Sequence, residues 1–207
     1  MRKIADSTVR RLSLYLRYLE EFETEGQATV SSEALATRGG TTSAQVRKDL
    51  SFFGSFGKRG LGYPVAELSD RLRRILGLDR RYRVVVIGAG KIGSALVQYR
   101  GFRARGFDIV ALFDSDPSKI GRTYDGLVVR DVVELDQALA KETPDIGVIV
   151  VPGDQAQAVA DRLVVGGVRA VLNFAPAPLH VPDAVALKNV NLALELEALS
   201  FALASRT

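Results

Sequence analysis

Hydrophobic and polar positions follow two different patterns along the 207-residue chain. Up to about residue 80, apolar residues recur every three or four positions, which predicts amphipathic helices. Beyond that point they form short continuous runs separated by turn residues, which is typical of parallel strands buried on both faces. The pattern therefore predicts a helical domain followed by an α/β domain with a doubly wound, mostly parallel sheet.

The first part of the chain predicts three helices followed by a hairpin. The first helix runs from Ser7 to about Glu23, and the second follows Ser31 or Ser32 and ends at Gly39. The third begins at Thr42 with the form of a capping box and runs to Phe53, before the helix-stopping Gly54.

A basic hairpin is expected after the third helix. Residues 55–63 have a glycine-flanked turn, which predicts two short strands with Lys58 and Arg59 at their tip. A further helix from about Ala66 to Leu76 closes the domain, and residues 77–81 form a linker. A helix-turn-helix followed by such a hairpin is a winged helix-turn-helix, which places one helix in the major groove of DNA.

The third helix carries the candidate DNA-binding face. Val46, Leu50 and Phe53 share a stripe that should face the core, while small, polar and cationic side chains occupy the other side. Lys48 suits a guanine edge, whereas Arg47, Lys58 and the serines suit phosphates. The wing tip can lie over the minor groove, where a narrow groove attracts arginine. A solvated helix and a surface loop with incidental cations are the alternative. The candidate DNA-binding residues are Ser43, Arg47, Lys48, Ser51, Ser55, Lys58, Arg59 and Gly60.

Charge is unevenly distributed between the two parts. The first 80 residues hold 14 Lys and Arg against 10 Asp and Glu, whereas the rest of the chain holds 14 of each. The whole net charge of +4 therefore lies before the predicted sheet. This asymmetry favours contact between the N-terminal domain and nucleic acid.

Composition excludes several kinds of site. The chain has no cysteine and one histidine, which excludes disulfides, a thiolate nucleophile and a metal site built on cysteine or clustered histidine. No apolar stretch reaches the length of a membrane span, and the N-terminus lacks the apolar core of a signal sequence. We therefore expect a cytoplasmic protein with neither a metal nor a membrane partner.

The most informative motif lies where the apolar runs begin. Residues 84–93 form an apolar strand followed by G-x-G-x-x-G at Gly88, Gly90 and Gly93, and a second apolar run ends in Asp114. This order is the dinucleotide-binding fingerprint of a Rossmann domain: a strand, a glycine turn, a helix, a second strand and an acidic residue. The helix, from about Lys91 to Arg100, would point its N-terminus at the phosphates. A simple tight turn is the alternative.

Asp114 determines which nucleotide we expect. A carboxylate at this position accepts hydrogen bonds from both hydroxyls of the adenosine ribose and repels a 2′-phosphate. No arginine follows at residues 115–117, so we expect NAD(H) rather than NADP(H). A module for CoA or another nucleotide is an alternative, against which Asp114 argues because it suits a ribose with free hydroxyls.

Two later strands complete the predicted site. Apolar runs at 146–151 and 168–174 predict buried strands, and ligands of doubly wound folds bind at the carboxyl ends of such strands. Val151, Pro152 and Phe174 are therefore candidates to line the nicotinamide end. Phe174 is equally well explained as a core residue.

The last helix is apolar on several sides. Leu192, Leu196 and Leu199 lie on one stripe with Leu203, and other apolar residues lie elsewhere around the helix. A helix of this kind is buried on more than one side. We therefore expect a partner subunit to cover it, and a homodimer also suits a winged helix that reads a two-fold operator.

An NAD-dependent oxidoreductase is the competing class of function. Hydride transfer to a carbonyl usually needs a placed proton donor. The single histidine, His180, lies between Pro178 and Pro182 in a predicted loop, and no serine–tyrosine–lysine constellation stands out. We therefore expect the protein to sense its nucleotide and not to be an enzyme.

Four segments carry a resemblance to a known family. Residues 45–63 are similar to its recognition helix and wing, 88–93 to its nucleotide loop, 99–102 to its Tyr-x-Gly-Phe stretch, and 172–176 to its Asn-Phe-Ala-Pro segment. The helix and wing string is highly specific, and the glycine loop alone is not. The segments occur in the right order and span nearly the whole chain. The chain therefore resembles the Rex family of bacterial redox-sensing transcriptional repressors.

The resemblance implies a winged helix-turn-helix domain at 1–78, a Rossmann domain that binds NAD(H) at 79–188 and a domain-swapped C-terminal helix at 189–207 of a homodimer. It implies repression at an inverted-repeat operator when NAD+ prevails or the site is empty, and release when NADH binds. With the residues above, the expected cofactor-binding set is Gly88, Ala89, Gly90, Lys91, Ile92, Gly93, Tyr99, Asp114, Val151, Pro152 and Phe174.

The chain departs from some members of the family where the last helix begins. Those members have Asp-Phe where this chain has Asn191 and Leu192. Their Asp pairs with an arginine at the position of Arg17, and their Phe approaches the nicotinamide. Asn191 carries no charge and cannot supply that ion pair. The expected dimer and switch residues are Arg17, Asn191, Leu192, Leu196 and Leu199.

Overall fold

The computed structural model describes residues 4–57 and 61–205. The chain divides into two compact units, Met1–Arg80 and Arg81–Thr207, which we call the N-terminal unit and the C-terminal unit. The N-terminal unit contains α1 (Asp6–Thr24), β1 (Thr29–Val30), α2 (Ser32–Arg38), α3 (Ser43–Ser51), β2 (Tyr63–Pro64) and α4 (Val65–Ile75).

Short hydroxyl side chains fix the starts of α2 and α3. The Ser31 hydroxyl accepts a hydrogen bond from the backbone of Ala34 at 3.0 Å, and the Thr42 hydroxyl accepts one from Gln45 at 3.1 Å. Each hydroxyl satisfies an amide that has no partner within its helix. The apolar faces of the four helices then pack into one core, so the helical pattern of the sequence correctly predicts these elements.

A buried carboxylate joins α3 to α1. Asp49 is 0% exposed, and Arg11 donates hydrogen bonds to its two oxygens at 2.6 and 2.8 Å. Tyr15 and Gln45 donate two more, at 3.0 and 2.8 Å. Burial alone raises the pKa of Asp49, but the hydrogen bonds from Arg11, Gln45 and Tyr15 outweigh burial, and the pKa is lowered.

The expected pairing of the hairpin strands is wrong. Strand β2 pairs antiparallel with β1, and residues 55–57 lie in no strand. Gly54 and Gly57 have φ angles of +120° and +73°, which interrupt an extended chain. The loop nevertheless doubles back, because a Cβ on Gly57 would lie 2.2 Å from the carbonyl oxygen of Gly62.

The C-terminal unit is built on a seven-stranded sheet in the order β5-β6-β4-β3-β7-β8-β9, parallel except for the edge strand β5. The predicted doubly wound, mostly parallel sheet is confirmed. Its strands are β3 (Tyr82–Ile87), β4 (Phe107–Asp114), β5 (Thr123–Tyr124), β6 (Leu127–Asp131), β7 (Ile146–Ile149), β8 (Ala170–Asn173) and β9 (Ala186–Asn189). Its helices are α5 (Lys91–Gln98), α6 (Gly101–Ala104), α7 (Leu135–Lys141), α8 (Gly153–Val165) and α9 (Leu192–Ala204), with a 3₁₀ turn at Val132–Glu134.

The strand order reverses between β3 and β7. From β3 the chain moves outward through β4 to β6, and it then returns to β7 on the other side of β3. Open α/β sheets bind ligands at the carboxyl ends of strands beside such a switch point. Two apolar clusters cover the faces of the sheet, one under α7 and α8 and the other under α5.

We expect Asp49→Asn to lower the free energy of unfolding by roughly 2–4 kcal/mol near neutral pH, because the new amide group faces buried donors from Arg11 and Tyr15. A carboxyl group whose pKa is lowered by folding stabilises the protein above its unfolded pKa, here 3.8, and loses that contribution as the pH falls through the folded pKa. The difference from wild type should therefore shrink in acid, and urea denaturation at about pH 7 and about pH 3 measures it.

Asp70→Asn, at an exposed position on α4, is the matched control. It should change stability by less than about 0.5 kcal/mol. An equal loss at both pH values in Asp49→Asn would contradict the role assigned to the ionised carboxylate.

Candidate nucleotide site and nucleic-acid interface

Two glycines of the fingerprint are required by the fold itself. Gly88 follows β3 with a φ of +107°, and a Cβ there would lie 2.4 Å from the carbonyl oxygen of Val150. A Cβ on Gly93 would lie 1.8 Å from the carbonyl oxygen of Gly88. Gly88 therefore allows the turn out of the strand, and Gly93 allows the first turn of α5 to approach the loop.

Gly90 is different, because a Cβ there meets no atom within 4 Å. Gly90 is also the N-cap residue of α5, and no side chain of the described residues caps this helix start. Free amides and the positive end of a helix favour an anion. The missing side chain at Gly90 therefore leaves space for a pyrophosphate against the backbone, so the loop fits a dinucleotide.

Asp114 lies beside this loop at the end of β4 and is 7% exposed. It accepts hydrogen bonds from the backbone amides of Ala89 at 2.6 Å and Asp116 at 2.8 Å, and the Lys119 ammonium lies 3.2 Å away. Burial raises the pKa of Asp114, but the amides and Lys119 outweigh burial and the pKa is lowered. The carboxylate is thus ionised at neutral pH and only accepts hydrogen bonds, as a ribose requires.

Lys119 is a functional candidate that the sequence reasoning missed. It follows Asp114 by five residues, in a turn, and its ammonium contacts both Asp114 and Asp116. A ribose hydroxyl at Asp114 would compete with this ammonium for the same oxygens. The glycine fingerprint carries no signal for such a lysine, because it describes only the acid at the end of the strand.

The loops after β7 and β8 reach the same edge of the sheet. Val151 and Phe174 are half-buried, each packed against a different apolar cluster, and Pro152 is exposed. The two loops also approach each other, since a Cβ on Gly153 would lie 3.4 Å from the Cβ of Ala177. The structure therefore brings residues 150–153 and 174–177 together beside the glycine loop.

Tyr99 is not brought to this edge. Helix α5 has eight residues and so spans about 12 Å, and Tyr99 follows its far end. Its ring packs on Gly101 and meets Phe102 edge-on, with 5.0 Å between the ring centroids. Within one chain Tyr99 is therefore held against α6 and apart from the glycine loop, and its assignment to the cofactor-binding set stays a prediction.

The exposed side of α3 gathers the candidate DNA-binding side chains. Val46 and Leu50 face the core, whereas Arg47, Lys48 and Ser51 are exposed. Arg47 donates a hydrogen bond to the Ser32 hydroxyl at 2.9 Å, which holds its guanidinium beside α2. Of the remaining candidates, Ser43 is half-buried at the start of α3 and Ser55 is exposed after its end.

The loop after α3 is held by α4 through a residue whose role the sequence reasoning missed. Arg71 donates a hydrogen bond to the carbonyl oxygen of Ser55 at 3.0 Å, and its guanidinium lies 5.0 Å from the ring centroid of Phe56. These contacts fix the base of the predicted wing. The expected tip of the wing, Lys58, Arg59 and Gly60, lies outside the described residues.

The candidate switch residues occupy exposed positions in both units. Arg17 is exposed on α1. Asn191 caps α9, where its side-chain oxygen accepts hydrogen bonds from the backbone of Ala193 and Leu194 at 3.0 and 3.4 Å. Every residue from 191 to 205 is exposed. The expected dimer residues Leu192, Leu196 and Leu199 have 61–67% of their surface exposed.

The described ranges contain neither a metal-binding cluster nor a membrane-spanning helix. Among these residues no group of three or more His, Cys, Asp or Glu side chains is placed to hold a metal ion. Within residues 4–57 and 61–205, no helix combines the length and the apolar character that a membrane span needs.

Comparison with protein families matches each unit to a separate model. Residues 3–51 match a model described as a putative DNA-binding protein N-terminus. Residues 79–177 match a model described as a CoA-binding domain. The first match lies within the N-terminal unit, and the second begins two residues before the division and lies otherwise in the C-terminal unit.

Individual relatives cover nearly the whole chain. The redox-sensing transcriptional repressor Rex of Carboxydothermus hydrogenoformans is 50% identical over 199 residues, 96% of each chain. Among solved structures, the Rex-family repressor RSP in complex with β-NAD+ and operator DNA is 40% identical, with a TM-score of 0.94 over 100% of this chain and 95% of its own. RSP in complex with β-NADH is 38% identical, with a TM-score of 0.89 over 100% and 97%. The chain therefore belongs to the Rex family of redox-sensing transcriptional repressors.

Proposed function

We propose that this protein represses transcription from an inverted-repeat operator as a homodimer and leaves the DNA when NADH binds its C-terminal unit. The observation that carries the proposal is its full-length similarity to one repressor solved both with NAD+ and operator DNA and with NADH. The relatives are named as repressors and not as enzymes. Because it acts on operator DNA, we also propose that it works in the cytoplasm.

The geometry of the C-terminal unit supports NAD(H) as the sensed ligand. The space at Gly90 and the free start of α5 suit a pyrophosphate, and the ionised Asp114 suits a ribose with free hydroxyls. CoA is the second candidate, because the matching family model carries that name. The carboxylate at Asp114 disfavours CoA, which carries a phosphate on its adenosine ribose.

A preference for NADH over NAD+ follows from the charge of the nicotinamide. The ring is cationic in NAD+ and neutral in NADH. Val151 and Phe174, with Leu192 from the second protomer, would offer it an apolar surface, and such a surface solvates a cation poorly. A difference of about 2–3 kcal/mol would give roughly 30- to 150-fold discrimination.

DNA binding is assigned to the exposed face of α3. Lys48 would meet base edges, and Arg47, Ser51 and the wing cations would meet phosphates. Release by NADH further requires that NADH bind the DNA-free conformation more tightly than the DNA-bound one.

The homodimer is assigned to α9 and an apolar groove. The groove, a cavity of about 290 Å³, crosses the α5-side face of the sheet, where side chains of β7, β8 and β9 line it almost without polar surface. Helix α9 is apolar on several sides, with Leu196, Leu199 and Phe201 exposed by 61–74%. An apolar helix and an apolar groove on the same unit are complementary surfaces for two copies of one chain.

We expect NADH to displace the protein from DNA, whereas NAD+ should leave the complex intact at concentrations about 30-fold higher. The duplex is selected by the protein from a randomised inverted-repeat pool, and displacement is followed by fluorescence anisotropy. Lys48→Ala should weaken DNA binding about 5- to 150-fold without changing NADH affinity, and Lys141→Ala, an exposed lysine of the C-terminal unit, should change neither.

Three results would contradict the proposal. Displacement by CoA and not by NADH would show that CoA is the ligand of the C-terminal unit. Equal potency of NADH and NAD+ would remove redox sensing. Oxidation of NADH on addition of carbonyl compounds would instead favour an oxidoreductase.

Gly90→Ala and Gly93→Ala should behave differently. A Cβ at Gly90 contacts no protein atom, so we expect normal thermal stability with NADH affinity reduced tenfold or more, that is by about 1.4 kcal/mol. A Cβ at Gly93 would overlap the Gly88 carbonyl oxygen, so stability and affinity should both fall. Differential scanning calorimetry and NADH fluorescence measure the two effects. Loss of stability in Gly90→Ala would show that the fold requires this glycine, contrary to its assigned role.

We expect Leu199→Glu to convert the dimer to a monomer in analytical ultracentrifugation, because a buried unpaired carboxylate opposes association. Leu199 is 61% exposed in a single chain, so the monomer should keep its sheet, as judged by circular dichroism. Glu195→Gln on the same helix is the control and should remain dimeric. A Leu199→Glu dimer would place the interface elsewhere.

A further inference from the structure

One buried side chain joins the loop at the nicotinamide end to the strand that precedes α9. Asn173, the last residue of β8, is 1% exposed. Its side-chain oxygen accepts a hydrogen bond from the backbone of Ala175 at 2.9 Å, which fixes the orientation of the amide. Its side-chain nitrogen then faces three acceptors: the carbonyl oxygens of Ala175 and Ala177 at 3.3 and 3.1 Å, and the side-chain oxygen of Asn189 at 2.9 Å.

These three acceptors compete for two hydrogens, because a side-chain amide has two N–H groups. Two of the acceptors belong to the loop 174–177, and the third belongs to β9. A displacement of the loop carbonyls therefore changes the share of hydrogen bonding that Asn189 receives. This change matters because the Asn173 amide is buried, and an unpaired buried polar group costs more than the average hydrogen bond contributes.

The path from Asn189 to α9 is short and is held by hydrogen bonds. Asn189 pairs in register with Asn173 at the end of β9, and the backbone of Val190 donates to the Asn173 carbonyl oxygen at 2.8 Å. The next residue, Asn191, is the N-cap of α9. Three consecutive residues thus connect the buried amide to the first turn of the exposed helix.

We propose that the Asn173–Asn189 hydrogen bond links loop 174–177, which we call the nicotinamide loop, to the start of α9. Through this bond the binding of NADH would be transmitted to the dimer contact. Asn173 and Asn189 are positioning residues in this scheme: they touch neither DNA nor cofactor and act through the loop and the helix. This inference rests on the proposed function, because it assigns a route to NADH-dependent release.

The test compares Asn189→Ala with Asn189→Asp in the full-length protein. Alanine removes the acceptor for Asn173, whereas aspartate keeps an acceptor of the same shape at an exposed position. Three quantities are measured for each protein: NADH affinity, DNA affinity alone and DNA affinity with saturating NADH. The ratio of the two DNA affinities is the coupling factor.

In Asn189→Ala we expect NADH affinity and DNA affinity alone to stay within about twofold of wild type, while the coupling factor falls about fivefold, the usual effect of one hydrogen bond. Asn189→Asp should keep the wild-type coupling factor. This pattern would support the link, because a merely structural residue would lower stability and both affinities without changing their ratio.

Other outcomes overturn the inference in distinguishable ways. A wild-type coupling factor in Asn189→Ala would show that the bond carries no signal. Equal loss of coupling in the alanine and aspartate variants would exclude the hydrogen bond as the cause. A coupling factor of one in the wild-type protein would overturn the proposed function itself, and the link with it.

Discussion

The close approach of Gly93 to the carbonyl oxygen of Gly88 is the constraint on which the C-terminal unit depends. It lets α5 begin directly above the end of β3, at the point where the strand order of the sheet reverses. The same tight turn brings the Ala89 amide to Asp114. The start of α5, Asp114 and the loops after β7 and β8 therefore lie at one edge of the sheet. They do so because the contact between Gly93 and the Gly88 carbonyl oxygen leaves no room for a side chain.

Both units place a buried carboxylate beneath a surface that suits anions. Asp49 lies on the buried side of α3, where Arg11 supplies the compensating charge, and Asp114 lies beside the glycine loop, where backbone amides and Lys119 do so. A buried acid without these donors would be costly and would repel an approaching phosphate. With them, each carboxylate fixes the position of a functional element: α3 in one unit and the glycine loop in the other.

The parts of the structure that follow from local sequence rules could be predicted. Helical periodicity, hydroxyl caps and the glycine fingerprint give α1 to α5, the parallel sheet and the edge at which Val151 and Phe174 meet. Three contacts could not be predicted, because each joins residues far apart in sequence. They are the pairing of β2 with β1, the Arg11–Asp49 ion pair and the hydrogen bond from Arg71 to the Ser55 carbonyl oxygen. Such contacts depend on how elements pack and leave no periodic trace along the chain. Tyr99 shows that a motif shared with a family gives a residue's presence and not the edge of the sheet on which it lies.

Helix α9 cannot be explained by the single chain. Burial of one leucine side chain contributes about 1.5–3 kcal/mol, and the exposed leucines of α9 gain nothing of this in isolation. Its 13 residues are also at the lower limit for a helix that is stable by itself in water. In the homodimer that we propose, formation of α9 and association of the two chains would be one equilibrium, in which apolar contacts offset the entropy of ordering the helix. A small change at the first turn of α9, next to Asn191, would then shift an equilibrium that the two chains of the proposed dimer share. This is how a local rearrangement at one nicotinamide loop would reach beyond its own subunit without a large movement of the sheet.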